Sequence, residues 1–177
     1  MKIYVIRHGL TDINVENKIN SLNDDDLNEI GIKQAIELRN LLKKIDYEII
    51  ISSPLTRTKH TAELLNKKNV DIIFDSRLLE RDAGVLTKAS LEYIDSDDWW
   101  NVSPKKDYEN AEKVIDVLNR VYDFLDDIKR RKEKSILLVT HGGVSKAISC
   151  YFNGIPEDGN LEKYTHNNCE IHEFEII

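Results

Sequence analysis

The sequence predicts an α/β fold, a three-layer sandwich in which helices flank a mainly parallel central sheet. Two observations lead there. Four short runs, Ile3 to Ile6, Glu48 to Ile51, Val70 to Phe74 and Ser135 to Val139, are almost continuously apolar and rich in Ile and Val. Such runs suit strands buried on both faces, as in a parallel sheet. The segments between them have helical spacing, and strands that alternate with helices are expected to pair in parallel.

Each element has its own local reason. The first run lies at the N-terminus. Asn28 can cap the first helix, with Glu29 in its first turn and Ala35, Leu38, Leu42 and Ile45 recurring 3, 4 and 3 residues apart. After the second run, Ser53-Pro54 reads as a helix start, Ser at the cap and Pro at the first helical position, followed by Leu55, Thr58, Ala62 and Leu65 on one face. The segment from Thr87 to Tyr108 fits no period and holds Trp99-Trp100 and Pro104. It is expected to form a small cap at about residues 85–109. A long helix is expected from about Asn110 to Arg131, with Ala111, Val114, Leu118, Val121, Leu125 and Ile128 on one stripe. The next helix starts after Gly142-Gly143, carries Val144, Ala147, Ile148 and Tyr151, and stops at Asn153-Gly154 with Pro156 beyond. Cys169 to Ile177 reads as a last, charged edge strand. The 177 residues fit one domain spanning 1–177.

Composition narrows the function classes. With 41% hydrophobic and 32% charged residues, the chain reads as a soluble globular protein. A net charge of −7, with no basic stripe beyond the Lys129-Arg130-Arg131-Lys132 run, argues against nucleic-acid and acidic-membrane partners. Cys150 and Cys169 have no metal-ligand or redox spacing, and Asp24-Asp25-Asp26 reads as a solvated loop, so neither metal nor cofactor is expected. No stretch approaches the length of a membrane span and the N-terminal apolar part is too short for a secretion signal; a cytoplasmic location is expected. Oligomeric state is left open.

The chemistry-bearing residues fall just past the strands. Arg7-His8-Gly9 follows the first run, Ser52 to Arg57 the second, Glu80 lies after the third, and His141-Gly142-Gly143 follows the fourth. In an open α/β sheet the crevice beyond the carboxyl ends of the strands is where ligands bind, so these groups converge on one place. Each alone has a plain reading as a solvated or locally bonded side chain. Together, two guanidiniums, close-approaching glycines and a helix start suit a phosphate. Histidine can attack phosphorus covalently, which makes His8 the candidate nucleophile, His141 a stabiliser of charge and Glu80 the candidate acid.

These residues resemble the histidine phosphatase superfamily, the branch with phosphoglycerate mutase and small-metabolite phosphatases. Arg7-His8-Gly9 with Thr11 and Asn14 resembles its opening signature, and Leu27 to Gly31 with Gln34-Ala35 its first-helix motif. Ser52-Ser53-Pro54-Leu55 with Arg57-Thr58 and Thr61-Ala62, then Leu79 to Gly84, then Val139 to Val144 resemble three further blocks in order. The resemblance implies a phosphoglycerate mutase-like sandwich, a phosphohistidine at His8, a phosphoryl cradle of Arg7, Arg57 and His141, and Glu80 as proton donor. Asn14, Thr11 and the Gly142 backbone are implied as further phosphate or substrate contacts, with no metal or organic cofactor.

Three departures bear on substrate. Leu10 stands where Glu or Gln often follows Arg7-His8-Gly9, Glu109-Asn110-Ala111 replaces a Gly-Glu-Ser, and Val85-Leu86-Thr87 replaces a Gly-x-Trp-x-Gly. Only 60 residues lie between Glu80 and His141, and the closing block reads His-Gly-Gly. Both favour hydrolysis of a small phosphorylated metabolite over mutase-type phosphoryl transfer, or over a non-catalytic phospho-ligand binder. Lys105-Lys106 and Trp99-Trp100 are open as substrate contacts, with solvation and packing as the plainer readings. His60, His166 and His172 are expected to be structural.

Overall fold

The computed structural model of the chain describes residues 1–176. Five strands, β1 (Lys2–Arg7), β2 (Ile49–Ser52), β3 (Ile72–Phe74), β4 (Ser135–Thr140) and β5 (Ile171–Glu175), form one sheet in the order β3-β2-β4-β1-β5. All neighbours pair in parallel except β5, which runs antiparallel to β1. The α/β class read from the sequence is the observed one. Ile177, the end of the expected last strand, lies outside the described residues.

The strands are apolar throughout because both faces are covered. Ile3, Val5, Ile49, Ile51, Ile136 and Leu138 point to one side, against helices α5 (Val114–Ile128) and α6 (Gly142–Asn153). Their neighbours Tyr4, Ile6, Ile50, Leu137 and Val139 point to the other, against α2 (Glu29–Leu41) and α3 (Thr56–Leu65). This period of two, filled by hydrophobes on both phases, is the signature of a central parallel sheet. Each such side chain removed from water contributes about 1.5–3 kcal/mol. A third, smaller cluster joins Ile19, Ala83 and Trp99 and draws in Ile94, Trp100, Tyr108 and Ala111.

Several boundaries differ from expectation, each for a physical reason. The third strand shrinks from Val70–Phe74 to Ile72–Phe74, and it is not buried on both faces: Ile73 and Phe74 are exposed, because β3 is an edge strand paired only with β2. The long helix begins at Val114, not near Asn110. Asn110 takes a left-handed φ of 56°, and Ala111 packs in the third cluster. The helix after β2 begins at Thr56, with Ser53 and Pro54 outside it. Its first N–H is satisfied from a distance, Thr56 N–H donating to Asp24 Oδ1 at 2.6 Å. A short helix α1 (Asp12–Val15) that the sequence reading lacked is closed by a reciprocal cap between Thr11 and Asn14. The remaining helix, α4 (Ser96–Trp99), lies within the aperiodic segment.

Gly9 and Gly31 explain how the loop after β1 and the start of α2 lie against one another. A Cβ on Gly9 would sit 2.5 Å from Gly31 O, and one on Gly31 2.1 Å from Leu10 O. Backbone meets backbone there, so neither position has room for a side chain.

Candidate functional site

The carboxyl ends of β1, β2 and β4 open into a cavity of about 500 Å³, lined among others by Arg7, His8, Asn14, Glu80, Gly142 and Gly143. His8 is buried at the end of β1, and both its ring nitrogens are fixed. Nδ1 lies 2.7 Å from Gly9 O, so it carries the proton and donates. Nε2 is then the unprotonated nitrogen, with Arg57 Nε–H 3.3 Å away donating to it. Burial, reinforced by the Arg57 and Arg7 charges, holds the His8 pKa well below its ordinary value and the ring neutral.

Arg57 is wholly buried behind His8 rather than on the cavity wall. Besides Nε, its two amino groups donate to main-chain carbonyls: Nη2 to Ser21 O at 2.8 Å and Nη1 to Asn23 O. Desolvation brings its pKa down to about 10. Arg7 donates to His166 O at 3.0 Å, and its Nε is buried without a partner. Among the described residues, no carboxylate comes within salt-bridge range of Arg7, Arg57 or Arg81. Buried or half-buried guanidiniums bonded only to neutral groups form a standing positive field, and an anion is its complement.

His141 lies 5.2 Å from His8, ring centre to ring centre, and is likewise fully buried. Its Nε2 is 2.8 Å from Ser53 Oγ, while Nδ1 is buried with no partner. Desolvation and the nearby Arg57 charge keep it neutral, its pKa well below the ordinary value. It immediately precedes α6, which has no side-chain cap at its N-terminus. Of the N–H groups that start it, Gly143's is taken by Glu80, and Gly142 lies on the cavity wall at the positive end of the helix dipole.

Glu80 reaches the same cavity after β3. Oε1 accepts from Arg81 N–H at 2.9 Å and Oε2 from Gly143 N–H at 3.3 Å, so its carboxyl group is held by main chain on both oxygens. Gly143 has to be glycine here: a Cβ would fall 2.3 Å from Trp100 and 2.5 Å from Glu80 Oε1.

The other expected residues fall as follows. Asn14 lines the cavity, but Thr11 does not. It is wholly buried, exchanging hydrogen bonds with Asn14 and accepting one from Asn20, and so holds Asn14 instead of reaching the cavity itself. Gly142 is on the wall, against the Arg7 guanidinium. Trp99 and Trp100 both line the cavity; Trp99 also packs on Tyr108 and carries Arg81 stacked 3.7 Å above its ring. Lys105 and Lys106 are exposed and off the wall, their backbone N–H groups bonded to Asp98. His60 bonds Asp26, 34 residues away, at the surface. His166 was expected to be structural, yet it lines the cavity while bonding Ser149 and accepting from Arg7 through its carbonyl.

Sequence reading missed Ser53, which it spent on a helix cap. It also missed the carbonyls of Ser21 and Asn23, and Asn168, whose amide donates to His8 O at 2.7 Å. Arg81, Lys146 and Glu162 were unassigned too. Lys146 did carry a signal, being a lone cation in a helix whose neighbours are Val144, Ser145, Ala147, Ile148, Ser149 and Cys150.

Comparison with known proteins identifies the family and the fold. The family model described as histidine phosphatase superfamily (branch 1) matches residues 3–177. The chain is 29% identical to "Phosphoserine phosphatase 1" of Hydrogenobacter thermophilus, over all of this chain and 86% of that one. It is 32% identical to "Probable phosphoglycerate mutase GpmB" of Proteus mirabilis, over 97% of this chain and 83% of that one. Among solved structures it resembles a mycobacterial glucosyl-3-phosphoglycerate phosphatase complexed with VO3, with a TM-score of 0.85 at 25% identity, covering 97% of this chain and 91% of that one. The α-ribazole phosphatase of Shigella flexneri superimposes equally well, with a TM-score of 0.85 at 23% identity over all of this chain and 91% of that one, which bears on fold alone.

Proposed function

The chain belongs to the histidine phosphatase superfamily (branch 1), and from that premise we propose that it hydrolyses a small phosphorylated metabolite through a phosphohistidine at His8, without a metal ion. The observation that carries this reading is the tautomer of His8: Gly9 O takes the proton on Nδ1 and leaves Nε2 unprotonated, oriented by the Arg57 Nε–H that donates to it. A neutral, oriented imidazole is the form that attacks phosphorus.

The reaction runs in two halves. His8 Nε2 bonds to phosphorus as the ester P–O bond breaks, its electron pair leaving on the alcohol oxygen, which takes a proton from Glu80. Water then attacks the phosphohistidine, gives its proton to the Glu80 carboxylate, and releases phosphate and neutral His8. Charge on the transferring group is stabilised by Arg7, Arg57, His141 Nδ1–H and the N–H groups at the start of α6, all fixed before substrate arrives. His141 can donate from Nδ1 because Ser53 Oγ–H can donate to its Nε2. Asn14 adds a further contact to substrate. Charge stabilisation thus comes from guanidiniums; among the described residues no three metal-ligating side chains converge.

Hydrolysis, not isomerisation, is favoured by the short span of 60 residues between Glu80 and His141 and by Lys105 and Lys106, which lie off the cavity wall. Two features fit a location in a reducing cell interior: both cysteines are free thiols, and no helix of the described residues is long and apolar enough to cross a membrane. The direct test is release of phosphate from an aryl phosphate in the presence of a chelator. Activity is expected to persist and to vanish in His8→Ala. Activity that requires a divalent ion and survives that substitution contradicts the proposal. Faster isomerisation of a phosphorylated hydroxy acid than its hydrolysis favours the mutase reading instead, the one suggested by the second relative's name.

A further inference from the structure

Lys146 stands on the cavity wall one helical turn beyond Gly142, its side chain only 6% exposed. Its ammonium bonds Thr165 Oγ1 at 3.0 Å and lies 3.1 Å from Glu162 Oε2. An ammonium has three N–H groups, so one donor remains for the cavity. We infer that Lys146 is a specificity-determining residue, taking a carboxylate on the part of the substrate that is not transferred. The inference rests on the phosphomonoesterase reading and deepens it.

Three observations support this role over a purely structural ion pair. A buried pair gains little over apolar packing unless its hydrogen bonds are complete. Here Glu162 Oε2 has no properly aligned hydrogen bond, whereas Oε1 accepts from Thr165. The pair is thus poorly built for stability alone, and a buried lysine in an apolar helix needs another reason. Spacing is the second point. Lys146 lies one turn along α6 from Gly142 and lines the same cavity as His8, so a single short ester on His8 has Lys146 within its surroundings. Charge is the third. Arg7, Lys18, Arg81 and Lys146 line the cavity against two carboxylates, Glu80 and Glu162, so cationic groups outnumber anionic ones where the substrate sits.

The acid could be a hydroxy acid or an amino acid. In the second case Glu162 would also take its ammonium.

The experiment compares kcat/KM for two carboxylated esters, phosphoserine and 3-phosphoglycerate, with that for glycerol phosphate and an aryl phosphate. The wild type is expected to favour at least one carboxylated ester by about tenfold or more. Lys146→Met is expected to lower that preference by about tenfold or more, chiefly through KM, and Lys146→Arg to hold it within about threefold. An equal fall for charged and uncharged esters, or an unchanged preference, overturns the inference. Should Lys146→Met not fold, Glu162→Gln takes its place: release of the Lys146 charge is expected to raise the preference for 3-phosphoglycerate, which has no ammonium, and a lowered one contradicts the assignment. Phosphoserine favoured over phosphoglycerate identifies an amino-acid ester, and the reverse a hydroxy-acid ester. Aryl phosphate turnover without any carboxylate preference sinks this inference and leaves the phosphatase reading standing. If nothing is hydrolysed, the phosphatase reading fails, and Kd values of the same esters by calorimetry still give the preference that decides Lys146.

Discussion

The two walls of the cavity are built in different ways. On the phosphoryl side, Arg7, His8 and His141 lie within a residue or two of β1 and β4, and Arg57 lies in the first turn of the helix that follows β2. Their hydrogen bonds go mainly to main-chain carbonyls: Gly9, Ser21, Asn23 and His166. The opposite wall comes from short turns and α4, with Leu91, Ile94, Trp99 and Trp100, and from Lys146 and Glu162. Its polar groups are held by other side chains, with Lys146 on Thr165 and Glu162. A wall fixed by strand ends and backbone suits chemistry that is identical for every substrate. A wall of turns and side-chain pairs can change with the substrate at little cost to the fold.

If that contrast holds, changes on the first wall should slow all esters alike, and the largest effects should come from there. Glu80→Gln is expected to lower kcat/KM, which reports the phosphorylation of His8, by about 10²–10⁴ for alkyl phosphates. It should change kcat/KM far less for an aryl phosphate, whose leaving group needs no proton. Comparing kcat/KM on the two esters checks this, and equal losses would remove Glu80 from the acid role. Arg57→Ala should cost about 10²–10³ in kcat on every ester, the scale of one lost preorganised donor. A loss confined to some esters would place Arg57 in specificity instead. Gly143→Ala inserts a Cβ where Trp100 and Glu80 already stand. About 1–3 kcal/mol of stability is expected to be lost, read from the urea midpoint, together with activity as Glu80 is displaced.

A smaller effect separates the walls by titration. His8 and His141 have pKa values well below the ordinary one, and His166 is brought down to about 4, in each case chiefly by burial. Below about pH 6.5 the unfolded histidines take up protons that the native ones refuse, so stability is full above that pH and falls as pH drops. Each group adds a slope of about 1.4 kcal/mol per pH unit until its native pKa is reached. Urea unfolding at pH 7.5, 6.5 and 5.5 should show that decline, and His8→Asn should make it shallower. A flat profile would mean that these rings take up protons in the native state as they do in the unfolded one. Smallest of all, Ser53→Ala removes one hydrogen bond to His141, about 0.5–1.5 kcal/mol, and should slow turnover by about three- to tenfold on every ester.

The same contrast sets what the sequence could reveal. Apolar runs followed by Arg-His-Gly and His-Gly-Gly are local patterns, so β1, β4, His8 and His141 were legible in the sequence, whereas Glu80, one of 32 acidic residues, stands out only through the family resemblance. Ser53-Pro54 is a local pattern as well, and it misled. The hydroxyl that caps many helices is here bonded to His141, 88 residues away, and Asp24 caps the helix in its place. Thr11 was read as a contact because it sits within the motif, but its hydroxyl is spent on holding Asn14 and Asn20. Arg81, Lys146, Glu162 and His166 reach the cavity only through tertiary packing. No spacing rule connects a turn after β3, the middle of α6 and the loop before β5.

The central claim is that His8 Nε2 forms a bond to phosphorus. The wild-type protein should be mixed with a fast-turning phosphomonoester, quenched in alkali within milliseconds, digested and read by mass spectrometry for phosphate. The account predicts an acid-labile, base-stable phosphate on the peptide containing His8, absent from His8→Ala and accumulating in Glu80→Gln with an aryl ester, whose departure needs no acid while dephosphorylation loses its base. Turnover with no phosphopeptide at any quench time, or with phosphate carried by His141, would contradict it.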